Sequence, residues 1–373
     1  MKVVLKLFLL FFIPGVTILS SCKKDIAPVN NELADKATSS KQTSRIIVHA
    51  GSSIQAAINN AEAGSIIQIE AGTYKESITV DKPGIQLIGS DDGVIIQNPG
   101  DEENGITVSD NGDGFVLKNV TVQNFGENGV VLTSVSNFLI SHVTALNNGE
   151  YGIFPVHSSN GVIEHCIVKG HSDTGIYVGQ SSDLSMQFNA ASENVNGLEV
   201  ENSSNVSVTF NQSSNNVCGL LVDLLPGKEV KTATNIYVAN NKVFDNNHDN
   251  FGEPGSLESV VPKGLGILIL GADQTTVENN IVTGNNFAGI TVFSTLVLGT
   301  LAGIPPAAFA DIDPNPDNSK IQKNVVKNNG SAPPVLPIPL PGADFLWDGS
   351  GSNNCWQNNI FNTSFPSPLP ACN

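Results

Sequence analysis

Arginine is almost missing from this chain of 373 residues: Arg45 is the only one. A ligand or reaction that needs a bidentate guanidinium clamp, or arginine as a base, has no residue to use along the body of the chain. Charged residues make up 14% of the sequence, aromatics 6%, and there are two tryptophans. Lys and Arg number 18 against 35 Asp and Glu, for a formal net charge of −17. That balance excludes nucleic acid and disfavours anionic glycans held by direct charge pairing, while leaving room for divalent cations. No Gly-x-Ser-x-Gly, P-loop, Cys-x-x-Cys or His-Glu-x-x-His motif occurs. Acyl-transfer, nucleotide, dithiol-redox and zinc-protease chemistries therefore lack their residues.

What the chain has instead is a period. A Gly-apolar-x-apolar tetrad occurs eight times, from Gly105 through Gly129, Gly152, Gly175, Gly197, Gly219 and Gly266 to Gly289. The steps are 22 to 24 residues except for one of 47, between Gly219 and Gly266. Each repeat carries a second short alternating run and an Asn-rich turn, such as Asn215-Asn216 or Asn285-Asn286. Alternating strands between Asn and Gly turns are not helices, and stacked coils of this length predict an all-β fold, a right-handed parallel β-helix. The long step reads as one coil with insertions at about 223–234 and 248–263. A third insertion covers 293–317. Loops of this kind gather on one face, and their apolar content predicts a patch that binds a partner.

Residues 1–21 are a positively charged start, an apolar run broken by Pro14 and Gly15, and small residues before Cys22. The segment resembles a bacterial lipoprotein signal with its lipobox. That resemblance implies an exported protein of the cell envelope, outer membrane or cell surface, lipidated at Cys22, with membrane contact through the anchor only. Residues 22–45 read as a flexible tether. The solenoid is expected over 46–330, entered by a capping helix at Ile54-Gln-Ala-Ala-Ile-Asn-Asn-Ala behind Ser52/Ser53. Residues 331–373 are expected to form an irregular C-terminal cap. An oxidising compartment and an irregular tail predict a Cys355–Cys372 bridge, with Cys166 and Cys218 free and buried.

The opening from the capping helix to Gly64-Ser-Ile-Ile-Gln-Ile-Glu-Ala-Gly-Thr-Tyr resembles secreted carbohydrate-active parallel β-helix proteins of the pectate-lyase-like superfold. Thr174-Gly-Ile-Tyr-Val-Gly-Gln-Ser, the Leu225-Pro-Gly insertion and the Asn354-Cys-Trp tail resemble a functionally uncharacterised family of secreted or lipid-anchored β-helix repeat proteins. That resemblance implies the fold, the compartment and an exported protein partner, and supplies no catalytic residues.

Three sets of candidates follow. Phe154, Tyr177 and Glu199 take the outward tetrad position in consecutive coils and are expected to bind polysaccharide or oligosaccharide, with rings for sugar faces and a carboxylate for hydroxyls. A covered packing ladder is the plainer reading. Glu127, Glu150 and Asp173 lie two residues before consecutive tetrad glycines, preceded by Glu103. Equivalent positions stack about 4.8 Å apart, a spacing at which carboxylates share Ca2+ or stay solvated. His171, Asp173, Glu199 and Lys169 are the weak catalytic candidates, for a calcium-dependent polysaccharide lyase or hydrolase. Gly170-His-Ser-Asp is faintly similar to a polygalacturonase segment, but the companion signatures are missing. His248-Asp249 is a further candidate, lining a cleft with Asp223 and Lys263. The remaining alternative is a non-catalytic envelope scaffold.

Overall fold

The computed structural model describes residues 44–90 and 93–373; the signal, Cys22, most of the tether and Asp91-Asp92 lie outside the described residues. Every strand pairing is parallel and joins one coil to the next. Two sheets result. One has 11 strands, among them Asn128–Thr133, Tyr151–Val156, Thr174–Gly179, Asn196–Glu201, Cys218–Asp223, Leu265–Leu270 and Ala288–Phe293. These are the tetrads, and it is called the tetrad sheet below. The other has 20 strands, mostly short pairs separated by a bend, such as Ser207–Thr209 and Gln212–Ser214. Among the described residues no helix is long and apolar enough to cross a membrane.

Alternation drives the stack. Ile153, Ile176, Leu198, Leu220, Ile267 and Ile290 are in register and fully buried. They form one rung series of a continuous Ile/Val/Leu core in which each coil buries the apolar face of its neighbour. The tetrad glycine is required by close approach: a Cβ on Gly152 would meet the Gly175 carbonyl oxygen at 2.4 Å and His171 Nε2 at 2.8 Å.

Two asparagine ladders run inside the bends. Asn189, Asn211, Asn241, Asn280 and Asn324 form one; Asn194, Asn216, Asn246, Asn285 and Asn329 form the other. Each side-chain oxygen accepts from the backbone N–H and side-chain amide of its predecessor, as at Asn211 to Asn241 with 2.8 and 3.1 Å. Buried turn amides are thereby satisfied coil after coil. Cys166 stands at the start of the first ladder, and His171 interrupts the second between Asn194 and Asn148, whose oxygen accepts from the Phe125 N–H.

Helix α1 (Ile54–Asn60) closes the N-terminal end. Ser53 caps it by accepting from the Ala56 N–H, Ile54 and Ile58 are buried, and the Glu76 carboxylate accepts from the Ile54 and Gln55 N–H groups. The coil between Gly219 and Gly266 is single: Leu220 pairs with Ile267, and Tyr237–Ala239 and Lys242–Phe244 pair with coils on both sides.

The C-terminal boundary needs correction. Residues 331–373 were expected to be an irregular cap, yet Ala343–Trp347 pairs with Ala288–Phe293, and Cys355–Gln357 pairs with Lys320–Gln322. Coiling therefore continues past residue 330. Its signature is hidden because Asp344 stands where the tetrad glycine would, opposite Gly289, and long insertions break the spacing. Cys355 and Cys372 are bridged, with Cα atoms 4.8 Å apart, and Cys166 and Cys218 are free and buried.

Candidate functional site

The outward face of the tetrad sheet changes character along the axis. At its N-terminal part it presents Thr107 and Val131, then the rings of Tyr151, Phe154 and Tyr177. Phe154 and Tyr177 lie in adjacent coils with ring centroids 4.7 Å apart and planes 15° apart; Tyr151 sits 4.5 Å from Phe154. Next come carboxylates, with Asp173 at the edge and Glu199, Glu201 and Asp223 on the strands. Beyond them the face is apolar, with Leu221, Leu265, Leu268, Leu270 and Phe293.

Insertions cover much of this face, and they arrive from opposite edges of the sheet. Residues 224–234 leave the C-terminal end of Cys218–Asp223. They are tied down by Gln180 Oε1, which accepts from the Glu229 and Val230 N–H groups, and by Asn202, which bonds Leu225 and Val230. The loop brings Lys228 Nζ to 3.0 Å from Glu201. Residues 248–263 approach the N-terminal ends and carry Glu253 and Glu258 toward Glu150 and Asp173. Helix α2 (Thr295–Ala302) and residues 336–340 lie over the apolar stretch. Part of the apolar content expected to present a partner patch packs down: Val297 and Leu298, with Leu336 and Leu340, lie partly buried against a second core cluster that includes Leu268, while residues 305–308 stay exposed.

That cover decides the fate of the candidates. Phe154, Tyr177 and Glu199 are neighbours in register, but Tyr177 and Glu199 are only 4% and 3% exposed, and Phe154 alone is half open. Tyr177 donates to Glu201 at 2.8 Å, while Glu199 accepts from Thr174 Oγ1 and from Asn196 Nδ2. Burial first, then Glu201, raises the Tyr177 phenol. Burial, then Asp223, Asp173 and Glu201, raises the Glu199 carboxyl. Asp223 is raised likewise by burial and Glu201.

The acidic row stacks as expected through its backbone: Glu127 N–H donates to Glu103, Glu150 to Glu127, and Asp173 to Glu150. Among the described residues, its side chains form no group of three with ligand atoms within 4.8 Å of one another. Glu150 and Asp173 instead line an open cleft with Tyr151, Ser172, Glu253, Ser256 and Glu258. Burial, then Glu127 and Glu253, raises Glu150. Among the described residues, the group of three ligand atoms lying within 4.8 Å of one another is Glu199, Glu201 and Asp223.

Of the catalytic candidates, Asp173 and Glu199 come together, both bonded by Thr174 Oγ1, while His171 and Lys169 lie apart from them. His171 points into the coil, 0% exposed, with its ring nitrogens 3.1 and 3.2 Å from the Asn148 and Ala145 carbonyls, and burial lowers its pKa to about 4. Lys169 lies on the 20-stranded sheet and pairs with Glu193. Asp249 forms an exposed pair with Lys263 rather than lining a cleft with Asp223. Tyr151, Glu201, Lys228, Glu253 and Glu258 were not among the sequence candidates. Continuing the in–out alternation two residues past each tetrad's outward position reaches Glu201 and Asp223. Nothing in the sequence locates the loop residues. A second aromatic row, also unanticipated, runs His142–His165–Phe188–Phe210 on the exterior with centroids 4.8 to 5.1 Å apart.

A family model described as "Right handed beta helix region" matches residues 83–224. No curated protein matches the chain in sequence. Among solved structures, the mannuronan C-5 epimerase AlgE4 A-module of Azotobacter vinelandii is 16% identical. The alignment covers 84% of this chain and 93% of that one, with a TM-score of 0.60. The AlgE6 A-module of the same organism is 15% identical over 86% and 93%, with a TM-score of 0.62. An alginate lyase from Paenibacillus is 13% identical over 88% and 98%, with a TM-score of 0.50. Identities this low speak for the fold alone. Strand register, family model and structural likeness agree on it: the protein is an all-β solenoid, a right-handed parallel β-helix.

Proposed function

We propose that this protein binds carbohydrate on the N-terminal part of the tetrad sheet, where the 248–263 insertion walls one side of the cleft, and that its ligand is a neutral glycan. The observation that carries the reading is the pairing of half-open rings, Phe154 and Tyr151, with a cleft rich in acceptors, Glu150, Asp173, Glu253 and Glu258. Ring faces suit the apolar faces of sugars, and carboxylates accept from their hydroxyls. The same acids, in a chain of net charge −17, repel a uronate chain unless a cation such as Ca2+ intervenes. The epimerase and lyase likenesses support a carbohydrate ligand in general. Because His171 and Lys169 lie apart from the cleft, the reading stops at binding. Lipidation at Cys22 and residence in the cell envelope complete it, supported by the lipobox-like start. A glycan array probed with the wild type and with Phe154→Ala tests it. Retention of neutral oligosaccharides, lost in the variant, is expected; retention of uronate chains only overturns it.

A specific observation favours a second reading, an exported protein partner. Ile167, Phe188 and Phe210 are 51%, 47% and 52% exposed on the exterior of the 20-stranded sheet. Loss of a co-purifying envelope protein in Phe188→Ser/Phe210→Ser, with glycan retention absent from the wild type, would favour this reading over the first.

A further inference from the structure

Glu199, Glu201 and Asp223 occupy two adjacent strands of the tetrad sheet and are 3%, 4% and 1% exposed. Each offers a carboxylate oxygen, and the three atoms lie within 4.8 Å of one another. Three anions so placed require compensation, because desolvation penalises each and mutual repulsion adds to it. The donors in reach are few. Thr174 Oγ1 and Asn196 Nδ2 serve Glu199; Tyr177 Oη and Lys228 Nζ serve Glu201. Among the described residues, Asp223 Oδ1 is buried with no hydrogen-bond partner, and so is Asn196 Oδ1 of the residue whose amide nitrogen bonds Glu199. Native proteins rarely leave such oxygens unpaired unless an ion or water completes the site.

We propose that Glu199, Glu201 and Asp223 form a site for one divalent cation, a hard oxygen-seeking ion such as Ca2+, with Lys228 as its lid. The charge balance is its own argument: three carboxylates, one ammonium and one divalent ion sum to zero, whereas lysine alone leaves two negative charges in a nearly sealed pocket. Carboxylate and amide oxygens are the ligands that calcium and magnesium select. This site begins on the strand next to Asp173, and Thr174 Oγ1 bonds both Asp173 and Glu199; its own three carboxylates take no part in the glycan reading, so it does not rest on that reading. Its role is to bind the loop 224–234, which contributes Lys228, to the strands beneath.

The test uses the full chain after chelator treatment, titrated with terbium and then with calcium. Tyr177, bonded to Glu201, is placed to sensitise terbium luminescence at short range. One ion per chain is expected, with tyrosine-sensitised emission, displacement by calcium and a rise in melting temperature. Asp223→Asn should weaken uptake by at least about tenfold, while its metal-free form is as stable as the wild type or more so, because one buried charge is gone. Glu199→Gln should behave alike, and Glu103→Gln/Glu127→Gln should bind as the wild type does. Absence of saturable uptake by the wild type overturns the site, and so does undiminished uptake in both Asp223→Asn and Glu199→Gln. Those results would mean that protons, not a metal, neutralise the cluster.

Discussion

His171→Asn isolates one buried titration from an acidic protein. His171 fills a ladder position taken by Asn194 and Asn216 in the following coils, and its folded pKa is lowered to about 4 from a reference of 6.5. Burial outweighs the two carbonyls that face its ring and would favour the charged form. A depressed pKa means that the unfolded chain binds the proton more readily. Stability is therefore fully present above about pH 6.5 and is lost as pH falls toward 4. At 1.36 kcal/mol per pKa unit the loss amounts to about 3 kcal/mol by the acid end of that window. Asparagine does not titrate, and its oxygen can accept from the Asn148 N–H as the later ladder members do for their predecessors, so the cost at neutral pH should stay within about 1 kcal/mol. Urea unfolding of both proteins at pH 7.5 and pH 4.5 gives the double difference. Carboxylate contributions are common to both proteins and cancel. The variant should lose about 2 to 3 kcal/mol less on acidification; equal losses would refute the argument that His171 is buried neutral.

Other outcomes follow from the packing. Ile176→Asp places a charge on the central inward ladder, between Ile153 and Leu198, and should cost about 4 kcal/mol or more; a melting curve like that of the wild type would contradict the inward assignment. Reducing Cys355–Cys372 opens a span of 17 residues, worth about 3 kcal/mol to the C-terminal coils. Hydrogen exchange should accelerate at Ala343–Trp347 and stay slow at Thr174–Gly179, whereas uniform acceleration would mean that the bridge supports the whole solenoid. Deleting 297–309 removes Val297 and Leu298 from the second core cluster and should lower the melting temperature clearly; an unchanged transition would restore these residues to the status of a free surface loop.

The repeat was legible because the glycine at each tetrad has a steric cause, the carbonyl of the next coil, and because inward positions tolerate little besides Ile, Leu and Val. Ser53 and the Ile54/Ile58 face announced the capping helix for an equally local reason. The site was less legible. Tyr177 and Glu199 sit where alternation put them, but their burial comes from loops whose path the repeat does not encode. His171 has the sequence context of an active-site residue, but its place in the asparagine row puts it inside the coil. Glu201 and Asp223 needed the alternation carried two residues further. The coils after residue 330 escaped because Asp344 takes the place of the glycine that marks the others.

If the open aromatic stretch of this solenoid holds sugar, as proposed, its rings must carry the affinity. The direct measurement is the affinity of a neutral oligosaccharide for the wild type, for Phe154→Ala and for Phe188→Ala, read by calorimetry on one preparation of each. The account predicts that Phe154→Ala loses about 1 kcal/mol or more of binding free energy, while Phe188→Ala binds as the wild type does. Affinity lost in Phe188→Ala and kept in Phe154→Ala would contradict it and move the binding surface to the exterior row of the other sheet.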